Sequence, residues 1–497
     1  MNETTFILRE LKSWFGNVGG DIWGGLVTTF ALLPETIGFM LAVGVPPYLG
    51  LYTCICLTII LAFTGGRPGV ITAGAGSTAM ILVNMVATYW DTHPEYIFAA
   101  VVLAGIIQFI LGVCRFGNLV KYLPQCVMNG FVNGLAILIF ISQVKLVLRD
   151  MSTLPEMLAL VAIGVVIIIV FPLLSKVVPF TKSIPSSLIA IILITIYVVA
   201  FNRPVLVISD LGAIAPNFTF FGVVVSRFGN IFTGECLSAI WSVAVSIAFI
   251  GIIETMLTCR VVTEETNTPE QENLNRECRG QGIGNIVCGL VGAMPGCAMI
   301  GQTKVCLGAG GRGRLASFTA GIVLCILLFL ANPVLGMIPI AALVAVMLKA
   351  CYDTFSWESV FKCYKFPLRD TVTMLLTVLI VVRTSNLAYG VGAGILMYAL
   401  LYLLSKLKFP VLHMVLSIAL ALLAAYIVID QFFLPKESIF LNISSILAAI
   451  LGLFAAGIAS LSRKAMDSTW AKDITCTVII IFAMLVAAAG TVCMYVI

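Results

Sequence analysis

The sequence predicts an all-α polytopic membrane protein made of two seven-span halves inserted with opposite orientation. Three observations predict it. The 497-residue chain is 61% hydrophobic and only 10% charged, against roughly 25% charged in soluble domains. It therefore lacks the polar residues to cover a water-facing surface of normal size. Its apolar stretches recur at lengths suited to crossing a bilayer. Two short polar interruptions, Gly76-Ser77-Thr78 and Gly301-Gln302-Thr303, lie 225 positions apart, close to half the chain.

Residues 1–20 are polar, with Arg9 and Lys12, and carry no cleavable signal peptide. They are expected to form a cytoplasmic N-terminal segment. Apolar spans follow near 22–44, 49–64, 72–89, 96–113, 124–148, 156–174, 186–201, 234–259, 280–294, 300–309, 314–331, 338–355, 370–384 and 386–405. The third and tenth are short and contain the interruptions. Each interruption follows a stretch able to run extended, Val70–Ala75 in one case and Gly296–Ile300 in the other. Three further spans are expected near 411–429, 439–461 and 474–497.

The halves echo each other in position. Glu35 and Glu254 fall in the first and eighth spans, 219 residues apart, and Pro124 and Pro339 open the fifth and twelfth, 215 apart. Seven spans is an odd number, so the second set must be inverted, which brings the two broken segments face to face. The expected divisions are 21–201 for the first repeat, 202–233 for a linker, 234–408 for the second repeat and 409–497 for the C-terminal extension. The linker contains an amphipathic stretch, Phe218–Phe232, with Arg227; Glu358–Phe366 is its counterpart in the second half. Threading the spans from a cytoplasmic N-terminus puts about 21 of the 28 Lys and Arg inside. The one long charged segment, Arg260–Arg279, then reads as a solvated inner loop.

Composition also excludes functions. The net charge of +5 comes from basic residues scattered over short loops, so no nucleic-acid partner is expected. The 15 Cys lie mostly in apolar spans (Cys54, Cys56, Cys325, Cys476, Cys493) without zinc-like spacing, and read as small buried hydrophobes. His93 and His413 are the only histidines. No Ser/His/Asp constellation is present, so neither an enzyme nor a resident cofactor is expected.

The candidate chemistry lies at the breaks. A half-helix that starts inside the membrane directs unpaired N–H groups and its positive dipole end at a ligand, and paired breaks mark substrate sites in secondary transporters. Ala75, Gly76, Ser77, Thr78, Gly301, Gln302 and Thr303 form the expected anion site, with neutral donors at both starts. Lys304 could add charge there or snorkel outward. Glu254 interrupts the apolar run Ile247–Ile253, where an ionisable group is expensive and marks function by default. Thr258 lies one turn on and shares its face, giving two hard oxygen ligands for a cation. Glu35, behind Pro34, is a candidate for proton coupling; a packing contact is the plainer alternative. Arg312 and Arg314 sit in a glycine-rich turn without P-loop spacing. Asn133 and Gln143 read as packing contacts.

At these residues the chain resembles the SulP family of inorganic anion transporters. The resemblance rests on Leu33-Pro-Glu-Thr-Ile-Gly-Phe39, Gly44-Val-Pro-Pro-Tyr-Leu-Gly-Leu-Tyr52, Gly65-Gly-Arg-Pro-Gly69, Gly130-Phe-Val-Asn-Gly-Leu-Ala-Ile-Leu138, Asn275-Arg-Glu-Cys-Arg-Gly-Gln-Gly282 and Met294-Pro-Gly-Cys-Ala-Met-Ile-Gly301. It implies a seven-plus-seven inverted-repeat transporter fold with core and gate domains, and an anion site between the starts of spans 3 and 10. It also implies a Na+ site in which Glu254 and Thr258 act with the carbonyls of Ala298, Met299 and Ile300, although Asp would be the usual acid. Gln302 stands where animal members often carry Arg. Three apolar spans stand where the family usually has a cytoplasmic STAS domain; gate packing or homodimerisation are the roles open to them. The expected function is Na+- or H+-coupled symport of sulfate or bicarbonate across the inner membrane. The alternatives are an uncoupled anion channel, a chloride, oxalate or dicarboxylate exchanger, or a nucleobase permease of the same fold.

Overall fold

A computed structural model describes residues 10–117, 123–149, 153–174, 185–211, 234–330, 332–362, 366–384 and 387–405. The amphipathic stretch Phe218–Phe232 and the extension 409–497 lie outside the described residues.

The first half supplies α1 (Val18–Val43), α2 (Pro47–Thr64), β1 (Thr72–Ala73), α3 (Gly76–Ile81), α4 (Val83–Tyr89), α5 (Pro94–Val113), α6 (Gln125–Val147), α7 (Leu154–Leu174) and α8 (Ser186–Ala200). The second supplies α9 (Gly234–Thr266), α10 (Leu274–Leu290), β2 (Cys297–Ala298), α11 (Ile300–Gly308), α12 (Arg314–Leu330), α13 (Ile340–Thr354), α14 (Trp357–Phe361), α15 (Leu368–Thr384) and α16 (Leu387–Ser405). Among the described helices, six are long and apolar enough to cross a membrane: α1, α2, α5, α6, α7 and α9. Local signals set the ends. Pro47 and Pro94 occupy first-turn positions, where a missing N–H costs nothing. Gly44 ends α1 in the left-handed region (φ 88°), returning its N–H to the carbonyls of Met40 and Leu41.

The expected solvated loop at Arg260–Arg279 is largely helical. α9 runs through it to Thr266, a 3-10 turn covers Pro269–Gln271, and α10 begins at Leu274 rather than near 280. Asn273 caps α10 by accepting the Arg276 amide at 3.0 Å. Arg260, Glu264, Glu265 and Arg279 stay exposed, as a solvated segment requires, but one charge turns inward. Glu277 is buried and accepts the backbone amides of Gly66 and Arg67, the latter at 2.9 Å. The Arg67 guanidinium reaches Thr266 and Thr268. Hydropathy misread the segment because its partners come from a loop some 210 residues earlier.

Arg312 does lie in a turn and Arg314 opens α12 just after it, but the turn is a latch. Asp21 of α1 is buried, and its Oδ1 accepts the amides of Arg312 (2.7 Å) and Gly313 (2.9 Å). Asn17 donates to the Gly310 carbonyl at 2.7 Å. Arg314 pairs with Glu10 and donates to the Ala62 carbonyl at 3.1 Å. Asp21→Ala strips an acceptor from two amides, which costs about 2 kcal/mol. Thermal denaturation of the purified protein should show a lower Tm, and Asp21→Asn should recover part of the loss.

The chain forms two compact units. Among the described residues, one comprises those up to Tyr122 and Leu146–Asp353, and the other comprises Leu123–Lys145 and those from Thr354 to Ser405. Each draws on both sequence halves. In the first, α5 packs along α10 because glycines let the backbones meet: a Cβ at Gly105 would lie 2.6 Å from the Ile286 nitrogen, and one at Gly282 would lie 2.5 Å from that of Phe109. In the second, Asn133 accepts the Ser356 amide at 2.7 Å and donates to Ser359 at 3.0 Å, holding the start of α14. That agrees with its reading as a packing contact.

Candidate functional site

Pro295 and Gly296 hold their segment out of a helix, since proline lacks an N–H and glycine permits close approach. β2 pairs antiparallel with β1, Thr72 opposite Ala298 and Ala73 opposite Cys297. The Met299 amide extends the pairing to the Ile71 carbonyl at 2.9 Å. Two interruptions far apart in sequence thus meet in space. α3 and α11 start just after the paired strands. Their flanking residues, Ala75 and Met299, are extended, and neither start has a side-chain cap. The Thr72 hydroxyl is buried there without a hydrogen-bond partner among the described residues.

α9 places Glu254 against this crossing. Its Oε2 accepts the Ser77 hydroxyl of α3 and, at 2.9 Å, the Cys297 thiol of β2. Thr258, one turn on, donates to the Glu254 carbonyl (2.9 Å) and the Ala298 carbonyl (3.2 Å). Ser77, Thr258 and Cys297 are buried, whereas Glu254 is partly exposed. The arrangement offers a carboxylate, a hydroxyl and a backbone carbonyl, an all-oxygen set that suits a small hard cation.

Other expected site residues are brought close with different partners. The Thr78 hydroxyl donates to the carbonyls of Ala75 (3.1 Å) and Pro295 (3.2 Å). The Thr303 hydroxyl accepts the Ile71 amide at 3.1 Å, and the Met299 carbonyl accepts the Thr303 amide at 3.0 Å. These two hydroxyls fasten the strands to the short helices. Gln302 is buried and hydrogen-bonds Glu35, and Lys349 and Asp353 of α13 are the charged groups around that acid. Glu35, Ile300 and Gly301 are partly or fully exposed. Lys304 is exposed as well, which favours the snorkelling alternative.

A polar layer beneath the strands went unread in the sequence. Gly296 is held through both backbone groups: its amide donates to Asn285 (3.0 Å), and its carbonyl accepts from Asn285 (3.1 Å) and Gln281 (3.2 Å). Asn285 also donates to Gln108 of α5 at 2.8 Å, and Thr255 bridges Gln281 to the Ala298 amide. The signal was present as Gln281 and Asn285, one turn apart and in line with Glu277 on one buried face of α10. Cys297 was missed for a different reason: cysteine counts as a hydrophobe, and only its place beside the break marks it.

Comparison with known proteins places this geometry. The model of the sulfate permease family matches residues 18–377. YbaR of Bacillus subtilis, named a candidate sulfate transporter, is 42% identical over 81% of this chain and 81% of its own. The bicarbonate transporter BicA of Picosynechococcus is 29% identical over 77% of this chain and 70% of its own. The solved transmembrane domain of a cyanobacterial BicA superposes with a TM-score of 0.64, covering 77% of this chain and 98% of that one at 24% identity. The helices of this chain thus follow a known membrane architecture, and the chain belongs to the sulfate permease family.

Proposed function

We propose that this protein is a secondary active transporter of a small inorganic anion, sulfate or bicarbonate, driven by Na+ or H+ through alternating access. The observation that carries the reading is the crossing itself. Two uncapped helix starts follow the two paired strands, and a membrane-embedded carboxylate is bonded to a side chain from each broken segment. Helix starts favour an anion, and the carboxylate favours a cation. Placing opposite charges next to each other lowers the cost of holding either in a low dielectric. The names of the relatives, sulfate for one and bicarbonate for another, support the substrate class.

In this reading Ala75–Thr78 and Gly301–Thr303 surround the anion. Glu254 and Thr258 take the cation with the Ala298 carbonyl, backed by Met299 and Ile300. Glu35 is the second acid, and its bond to Gln302 ties it to the α11 start. The two seven-span halves act as inverted repeats about the broken segments.

Uptake of labelled sulfate and labelled bicarbonate into proteoliposomes tests the substrate class. Saturable uptake of one of them, competed by the other unlabelled anion or by neither, supports the reading, and uptake of neither contradicts it. Thr258→Val separates the coupling ions. It should raise the Na+ concentration for half-maximal uptake about tenfold, the worth of a hydroxyl ligand; an unchanged response to an imposed pH gradient would identify the proton.

A further inference from the structure

One oxygen of Glu254 receives two donors, one from each broken segment. Ser77 Oγ and Cys297 Sγ both reach Oε2, and the two donors lie 3.5 Å from each other. A hydroxyl carries a single proton; divided between two acceptors it bonds each weakly, so a full bond from Ser77 goes to one acceptor at a time. Ser77 also sits in the first turn of α3, beside the amides offered to the anion. We propose that Ser77 is a shared donor: it bonds Glu254 while that carboxylate is free, and turns to the transported anion when a cation occupies it. This rests on the anion and cation sites proposed above.

The physical argument is competition between acceptors. A hydroxyl bonds an ionised oxygen about twice as strongly as a neutral one. With Glu254 ionised, Oε2 is the better acceptor and keeps the proton of Ser77. A bound Na+ neutralises the carboxylate, and an anion nearby becomes the better acceptor. A buried donor left without either is costly, so cation and anion favour each other's binding. The effect is reciprocal, each raising the affinity of the other by the same factor. Cys297 is a positioning residue in this scheme: its weaker thiol donor keeps the carboxylate in place when the hydroxyl leaves. The groups bonded to Glu254 are Ser77 of α3 and Cys297 of β2 at its carboxylate, and Thr258 of its own helix at its carbonyl. Cys297 is the titratable one bonded to it.

The test is the KM for labelled sulfate and labelled bicarbonate in proteoliposomes of the full chain. It is measured with Na+ and with choline in its place, and across a pH step. The cation that drives uptake should lower the wild-type KM about tenfold, the worth of one hydrogen bond to a charged group. In Ser77→Ala that fall should shrink to less than about twofold, whereas Cys297→Ser, which keeps a donor, should preserve it. Ser77→Cys, a weak donor of similar shape, should shrink the fall too, and it carries the comparison if Ser77→Ala does not fold. A full cation effect in Ser77→Ala or Ser77→Cys, with the effect lost in Glu254→Gln, overturns the shared donor and leaves the cation site standing. A full effect in Glu254→Gln overturns the cation site itself.

Discussion

Glu254→Gln is expected to lose cation-driven anion uptake by at least about a hundredfold while remaining folded. The amide has the shape of the carboxylate and keeps an oxygen for Ser77 and Cys297, so the bonds that hold this part of α9 survive. What disappears is the negative charge. A bond to a charged group is worth about 1.5–3 kcal/mol more than none, and in a low-dielectric site the attraction for a cation is larger than in water. Glu254→Ala should be harsher in a different way, because it leaves two buried donors unpaired and so lowers Tm as well. Gradient-driven uptake in proteoliposomes, read beside thermal denaturation, separates the two: Glu254→Gln changes the first alone, and Glu254→Ala changes both.

Gly296→Ala is expected to prevent the site from assembling. A Cβ at this position would lie 2.2 Å from the Ala73 carbonyl oxygen and 2.4 Å from Leu57 Cδ1. The first of these is backbone in the paired strand, so it cannot move without breaking the Ala73–Cys297 pairing. Sliding Gly296 away instead would break its bonds to Asn285 and Gln281. Overpacking typically costs about 1–3 kcal/mol, and each polar group left unpaired adds about 1–3. The variant should therefore show a large loss of folded, monodisperse protein on gel filtration. The same change at Gly301, where a Cβ would meet nothing within 4 Å, should leave the elution profile as it is.

The helices and the two breaks were legible because both depend on local sequence. Apolar runs set helix positions: a helix begins at Ile300, where the tenth span was expected, whereas the third span, expected over 72–89, is extended at its start and divides into two short helices from Gly76. Glu254 stood out because an acid directly after the apolar run Ile247–Ile253, inside the span, has no local explanation. The partners were not legible. Nothing near Ser77 indicates that its hydroxyl goes to Glu254, 177 residues away, or that the Thr303 hydroxyl holds Ile71, 232 residues away. Asp21, which drew no reading, and Glu277, read as part of a solvated loop, went unrecognised on the same ground: the loop that donates to each lies far away in sequence.

The central claim, that an embedded carboxylate couples a cation to anion movement, is tested most directly by accumulation. Proteoliposomes with an imposed Na+ or pH gradient should concentrate labelled sulfate or labelled bicarbonate above its equilibrium level. An ionophore that collapses the driving gradient should release it, and Glu254→Gln vesicles should only equilibrate. Equilibration without accumulation in the wild type, under either gradient and for both anions, would contradict the account and leave an uncoupled pathway in its place.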